Sequence, residues 1–365
     1  EKKISMENEK KLKKLQKFWS GKKIFITGHT GFKGTWLCIM LNLLKSEIYG
    51  YSLNPKRKSL FSESKIHNYL KSNTFSDINN ISLLKKKLKL SKPQIVFHLA
   101  AQSLVLKSYE NPVETFRTNI MGTVNLLNCI RKVNTIKSVV IVTTDKVYKV
   151  DKKNKIFNEL DILGGSEPYS TSKVAAELAT ESFIKSFFQK THLKNKISTA
   201  RSGNVIGGGD YSKYRLVPDI IKAINNKKKI YVRNPEHIRP WQHVLDPLMG
   251  YLILAKKQYE GKIRVKNNCW NFGPNKNNFK SVINIIKKMQ FLERFKYKIG
   301  KKQKKKETKT LKLNSSKAKK ILKWSSILDL DHTIKKALEW NKLVKKKFSA
   351  KQVCEKQFLM YINKI

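Results

Sequence analysis

The sequence predicts an α/β protein, a doubly wound parallel sheet followed by a smaller α+β unit. Three observations carry this. Short β-branched, apolar runs alternate with helical stretches up to about residue 205. A glycine loop joins the first of those runs to an apolar helix. After about residue 206 the alternation loosens.

The elements follow in order. Residues 1–17 are a polar, lysine-rich lead with weak helical spacing at Leu12 and Leu15, read as a basic arm. Lys22–Thr27 reads as a strand, Trp36–Leu44 as a helix and Ile48–Leu53 as a second strand. Leu83–Leu90 reads as a helix, and Gln94–Leu99 as a strand after Pro93. Val113–Lys132 is a long helix, Ser138–Thr143 a buried strand, Pro168–Gln189 a helix and Ile197–Arg201 a strand. Strands joined through helices of this length run parallel, with both faces covered. Beyond the loop Gly207–Asp210, a helix (Pro218–Asn225), a short strand (Ile230–Val232) and a proline-bearing stretch (Asn234–Trp241) are expected. Helices over Val244–Gln258, Ser281–Lys288, Ser316–Leu322 and Asp331–Lys346 follow. Residues 346–365 read as a basic tail.

Composition bounds the function. The 365 residues hold 77 Lys and Arg against 26 Asp and Glu, a net charge of +51. Such an excess invites a nucleic-acid or membrane reading. Only nine of the 77 are arginine, and the lysines are spread along the whole chain. Nucleic-acid readers lean on the planar arginine fork, so the excess is read as solvated surface with no specific nucleic acid. The densest runs, Lys85–Lys89 and Lys301–Lys306, are assigned to that surface. Apolar runs fall far short of the roughly 18 residues of a membrane span, and no apolar leader opens the chain. Cys38, Cys129, Cys269 and Cys354 show no paired or metal-binding spacing, so a reducing cytoplasm is expected and no metal.

Gly28-His-Thr-Gly31-Phe-Lys-Gly34 follows a strand and opens a helix. Such a turn brings backbone N–H groups and a helix N-terminus up to a pyrophosphate. This marks residues 18–205 as a Rossmann-type dinucleotide-binding domain, to which 242–270 return. Residues 206–241 and 271–345 then form a substrate-binding domain. The acid that usually meets the adenine ribose about 20 residues further on is replaced by Asn54, with Lys56, Arg57 and Lys58 behind it. Taken alone, these residues leave NAD and NADP both open. Asp77 and Ile78, after Phe75, suit a loop beneath the adenine; a solvated turn is the bland alternative.

Tyr169 and Lys173 stand four apart on one helix face. A cation there favours phenolate and is expected to lower the tyrosine pKa toward that of a useful base. The strand before that helix ends in Thr144-Asp145-Lys146. A hydroxyl, an acid and an amine thus emerge at the carboxyl end of a parallel strand, where α/β sheets place their sites.

These residues resemble the extended short-chain dehydrogenase/reductase family, over nearly all of residues 18–345. The most specific stretches are TTDKVY (Thr143–Tyr148), LGGSEPYSTSK (Leu163–Lys173), RSGNVIGGGD (Arg201–Asp210) and RNPEHIRPWQHVLDPL (Arg233–Leu248), which are similar to its nucleotide-sugar 4,6-dehydratases. The resemblance implies NAD, tightly bound and recycled, lined by Gly28, Thr30, Gly31, Phe32, Gly34, Asn54, Asp77, Ile78, Leu99, Ala100, Ala101, Gln102 and Asn119, with Tyr169 and Lys173. It implies CDP-glucose or a related nucleotide sugar as substrate, held by Asn204, Arg215, Arg233, Arg239 and His243. It assigns Tyr169, Lys173 and Thr144 to oxidation at C4, Asp145 to the leaving hydroxyl and Lys146 to the C5 proton. A homodimer is implied, with a tetramer the alternative. A 4-epimerase of the same family would not need the Asp145–Lys146 pair, so that pair argues for elimination.

Overall fold

Seven short runs pair into one all-parallel sheet in the computed structural model, which describes residues 6–150, 154–265, 267–300 and 308–365. They are β1 (Lys23–Thr27), β2 (Glu47–Ser52), β3 (Ser72–Phe75), β4 (Ile95–His98), β5 (Ser138–Val142), β6 (Ile197–Ser202) and β7 (Cys269–Phe272). Their spatial order is 3-2-1-4-5-6-7, so the direction of winding reverses between β1 and β4. Thr27 stands opposite His98 there. The Thr27 hydroxyl lies 2.6 Å from His98 Nδ1, and His98 Nε2 lies 3.1 Å from the Thr123 hydroxyl, which locks the two strand ends together. Burial pushes His98 down to about 3, so it stays neutral.

Alternate side chains of the strands enter two cores. Ile24 and Ile26 of β1 meet Trp36, Leu37 and Met40 of the helix Phe32–Leu43 on one face. Phe25 and Val96 meet Leu126, Leu127 and Ile130 on the other. The helix Leu245–Tyr259 lies against β5, β6 and β7. A third core, with Ile220, Trp241, Ile286 and Ile334, holds the smaller unit. That unit is made of helices and of three short strand pairs: Val205–Ile206 with Gln242–His243, Ile230–Val232 with Tyr297–Ile299, and Ile238–Pro240 with Phe279–Ser281.

The observed elements depart from the expected ones at several places. β3 was not foreseen, because its sequence SNTF is polar; it is a sheet edge whose pairing with β2 supplies the stability. The expected helix Val113–Lys132 is broken by a wider turn at Arg117–Met121, and the helix from Pro168 widens again over Ile184–Phe188. Within the stretch Asn234–Trp241, Ile238–Pro240 is a strand. The lead and the tail are also structured. Met6–Trp19 is a helix whose Lys11 donates to the Asn363 carbonyl at 2.6 Å. Residues Ala350–Ile362 form a helix that buries Val353, Cys354, Phe358, Tyr361 and Ile362 against the helices Phe32–Leu43 and Leu330–Lys345. Its lysines hid an apolar face at helical spacing. The run Lys85–Lys89 lies on the helix Ile81–Ser91, while Lys301–Lys306 lies outside the described residues.

Candidate active site

At the β1–β4 reversal the chain opens a cavity of about 880 Å³ that runs from the glycine loop to the smaller unit. Open α/β sheets hold their ligands in such a crevice. Gly28 has φ +75°, and a Cβ there would lie 2.5 Å from the Ala100 amide nitrogen. A Cβ on Gly34 would lie 2.2 Å from the Gly28 carbonyl oxygen. Both positions therefore require glycine. Gly31 differs: a Cβ there would meet only the Gly28 oxygen, at 3.3 Å, and would otherwise enter the cavity. Gly31 caps the helix Phe32–Leu43 without a side chain, so the first-turn N–H groups face open space. This cradle, one Cβ deep, fits the pyrophosphate of a dinucleotide.

Thr30, Phe32, Asn54, Asp77, Ile78, Leu99, Ala100, Ala101 and Gln102 all line the same cavity. Asn119 does not. It sits behind the wall, accepting from the Gln102 amide at 2.8 Å and donating to the Gln102 carbonyl at 3.0 Å and to Ser172 at 2.8 Å. It shapes the loop after β4 rather than facing a ligand.

Tyr169 opens the helix Pro168–Phe183, which Glu167 caps through the Tyr169 and Ser170 amides at 2.8 and 3.0 Å. Tyr169 is hydrogen-bonded to Thr144. Burial, with Asp145 adding to it, pushes the phenol up to about 12. The expected lowering is therefore absent in this state. Lys173 donates to the Val142 carbonyl at 3.2 Å, and burial brings it down to about 8. Desolvation outweighs the benefit that the helical spacing promised.

Asp145 is buried. Its Oδ1 accepts from the Thr144 hydroxyl at 3.1 Å, and its Oδ2 has no hydrogen-bond partner among the described residues. Burial raises its pKa against the pull of Lys146, Arg239, Thr144 and Lys33. Lys146 is half-buried in the cavity wall.

The opposite end is cationic. Arg215 pairs with Asp210 at 2.9 Å and reaches Ser103 at 3.2 Å. Arg233 donates to the Tyr214 carbonyl at 3.3 Å. Arg239 donates to the carbonyls of Ile238 and Lys309 at 2.9 and 3.1 Å. All three line the cavity with Asn204. His243 does not. It packs edge-on to Trp36, accepts from the Leu245 amide at 3.2 Å and is pushed down to about 3 by burial. Its strand, paired to Val205–Ile206, turns the ring into the core.

Two features escaped the sequence reading. Arg201 makes a fully buried pair with Glu177, which also accepts from Thr143 at 2.6 Å; this supports β6 and β5 from behind. Lys33, inside the glycine loop, projects into the site. A lone lysine in the apolar run FKGTWLCIML was the available signal.

Known proteins resemble this chain in sequence and in fold. A family model described as GDP-mannose 4,6 dehydratase matches residues 25–337. The chain belongs to that family, within the extended short-chain dehydrogenase/reductases. Among its relatives, a protein of Salmonella typhimurium strain LT2 named CDP-glucose 4,6-dehydratase is 40% identical over 333 residues, covering 89% of this chain and 92% of that one. A human dTDP-D-glucose 4,6-dehydratase is 24% identical over 66% of this chain and 68% of its own. Solved structures share the fold. The dTDP-glucose 4,6-dehydratase of Bacillus anthracis, in complex with NAD, superposes with TM-score 0.76 at 22% identity, covering 91% of this chain and 100% of that one. The UDP-glucose 4-epimerase of Thermotoga maritima, with UDP-glucose, gives 0.73 at 21% identity over 88% of this chain and 99% of that one. Both dehydratases and epimerases thus stand on this family's scaffold, so the distinction lies in the side chains of the cavity.

Proposed function

We propose that this chain is a nucleotide-sugar 4,6-dehydratase that converts CDP-glucose to the 4-keto-6-deoxy sugar. The observation that carries the reading is Asp145, a buried carboxyl with one free oxygen, in the same cavity as Tyr169. Oxidation at C4 alone needs no such acid; loss of the 6-hydroxyl does. The Salmonella relative's name supports CDP-glucose as the sugar donor tested first.

The glycine cradle, with Thr30, Asn54, Asp77 and Lys173, is the place for NAD. Bound there, the dinucleotide supplies a reversible hydride store that leaves the overall reaction redox-neutral. Tyr169 starts as a phenol; positive charge beside it favours release of its proton to solvent, and the phenolate so formed takes the 4-hydroxyl proton. Arg215 already pulls the phenol down, and Lys173 lines the same cavity. The 4-ketone so formed acidifies the hydrogen on C5. Lys146 is the base for that proton, and Asp145 gives its own proton to the 6-oxygen. The C6–O6 bond breaks and water leaves. Burial raises the proton affinity of this carboxyl above that of an exposed one, which suits it to act as the acid. Arg215, Arg233 and Arg239 hold the diphosphate, for which the guanidinium fork is suited.

Exposed Val113, Met121 and Leu178 on neighbouring helices support pairing of two copies. Four separate buried thiols support a reducing cytoplasm. No helix among the described residues is long and apolar enough to cross a membrane.

The test is incubation with NAD and, in separate reactions, CDP-glucose, UDP-glucose, dTDP-glucose and GDP-mannose, with the 4-keto sugar read by its alkaline absorbance. CDP-glucose is expected to react fastest. Interconversion of 4-epimers without a 4-keto product would replace this reading with an epimerase.

A further inference from the structure

Lys33 lies between Phe32 and Gly34 of the glycine loop, and no step above uses it. Its ammonium does not reach for open water, as a lysine stem normally allows. It donates to the Ser202 hydroxyl at 2.7 Å and lies 5.9 Å from the centre of the Tyr251 ring. The Tyr251 hydroxyl donates to the same Ser202 oxygen at 2.9 Å. Ser202 ends β6. The next residue, Gly203, is the one against which Asp145 rests: a Cβ there would lie 2.9 Å from Asp145 Oδ2. The amine of Lys33 and the free oxygen of Asp145 therefore rest against adjacent residues, Ser202 and Gly203, inside the same cavity.

We propose that Lys33 is a positioning residue for Asp145: its charge decides whether Asp145 holds a proton to give to the leaving hydroxyl. The role rests on the dehydratase reading above.

The surrounding charges set the sign. Asp145 faces Lys146, Arg239, Lys33 and the Thr144 hydroxyl, all of which favour its carboxylate, and burial outweighs them. Tyr169 also feels Asp145 from its helix. Lys33 faces Arg215 and Lys173, which disfavour its ammonium, and Asp145, which favours it; burial dominates and brings it down to about 7. The two shifts point the same way. Both shifts favour the uncharged forms, as burial does when desolvation costs more than the attraction between the charges returns. The two groups titrate as a pair. A permanent charge at position 33 would pull the proton off Asp145; no charge there would leave it in place. Lys33 itself gains and loses no atom when the 6-hydroxyl departs.

The experiment compares Lys33→Arg and Lys33→Met with the wild type in two ways. Infrared difference spectra, each against its Asp145→Asn counterpart, read the protonated carboxyl of Asp145 as a function of pH and need no turnover. In the arginine variant the midpoint is expected to fall by one unit or more; in the methionine variant it is expected to rise. Turnover with CDP-glucose is then followed against pH. The alkaline limb of kcat should move down for Arg and up for Met, with kcat for Arg about tenfold lower at pH 8 and KM near the wild-type value. If either variant fails to fold, the shift in the other decides. Shifts of the same sign in both variants, or an Asp145 midpoint that neither moves, would overturn the link. If the wild type makes no 4-keto sugar from any nucleotide sugar, the dehydratase reading fails and takes the acid's role with it. The infrared arm still decides whether Lys33 governs the Asp145 proton.

Discussion

At the β1–β4 end of the cavity the ligand-facing surface is backbone; at the Arg215–Arg239 end it is side chain. Gly28 and Gly34 have no room for a single carbon, because the ends of β1 and β4 and the first turn of the next helix crowd them. Arg215, Arg233 and Arg239 hang instead from the smaller unit, held by one carboxylate and a few carbonyls. A surface made of N–H groups at a helix terminus recognises any pyrophosphate and tolerates almost no change. A surface made of long side chains can be re-aimed by short segments, so substrate choice can vary while the dinucleotide end stays the same.

Substitutions within the glycine loop break this comparison most severely. Gly28→Ala forces a Cβ into the Ala100 amide at a left-handed backbone position and should cost on the order of 2–4 kcal/mol, the scale of a strained or overpacked site. A melting curve checks it. Gly31→Val should instead leave the melting temperature close to wild type yet abolish NAD binding in calorimetry, because its side chain fills the cradle. Equal effects in both variants would mean that the loop is only a structural turn.

Next come the two residues proposed to carry protons. Asp145→Asn should lower turnover by ~10²–10⁴-fold, the usual worth of a general acid. Reduced cofactor and 4-keto sugar should accumulate on the enzyme. Tyr169→Phe should show no reduced cofactor at all. Single-turnover absorbance of the reduced nicotinamide separates the two, and near-normal activity of the Asn variant would point to an epimerase.

A smaller effect is expected at the arginine end. Arg239→Lys keeps the charge but loses the planar fork. KM for the nucleotide sugar should rise about tenfold by loss of a charge-assisted bidentate contact of roughly 1–2 kcal/mol, with kcat changed less. Steady-state kinetics reads the split; a fall in kcat alone would place Arg239 outside the diphosphate site.

The smallest effect is a pH dependence at Lys173. Its native pKa of about 8 lies below the 10.5 of a free lysine. Between those values the unfolded chain binds more protons, so the contribution of this group to stability rises with pH across that window. The difference in denaturant midpoint between wild type and Lys173→Met should shift in favour of the wild type from pH 8 to pH 10.5. A constant difference would show that burial does not perturb Lys173.

Much of the fold was legible along the chain. β1, β4, β5 and β6 are short runs with β-branched residues whose period and flanking helices mark them locally. β3 was not, since a polar edge strand owes its existence to the neighbour it pairs with. The final helix was missed for a related reason: its apolar face is diluted by lysines, and only the helices it packs against reveal it. At the site, the glycine loop, Tyr169, Lys173 and Asp145 could be named because spacing along one helix or at one strand end is a local property. Asn119 and His243 were named too, but the structure turns both side chains away from the cavity.

By itself the sequence determined the order of strands and helices, the glycine cradle and the residue types at each strand end, because backbone conformation and apolar period are set by near neighbours. The tertiary structure alone decided the charges. Lys33 and Asp145 lie far apart in the chain and rest against the adjacent residues Ser202 and Gly203, and Tyr169, which a lysine on the same helix face was expected to acidify, is pushed up by burial. Proton affinity depends on what removes water and which charges close in from other segments, and those are known only once the chain has folded.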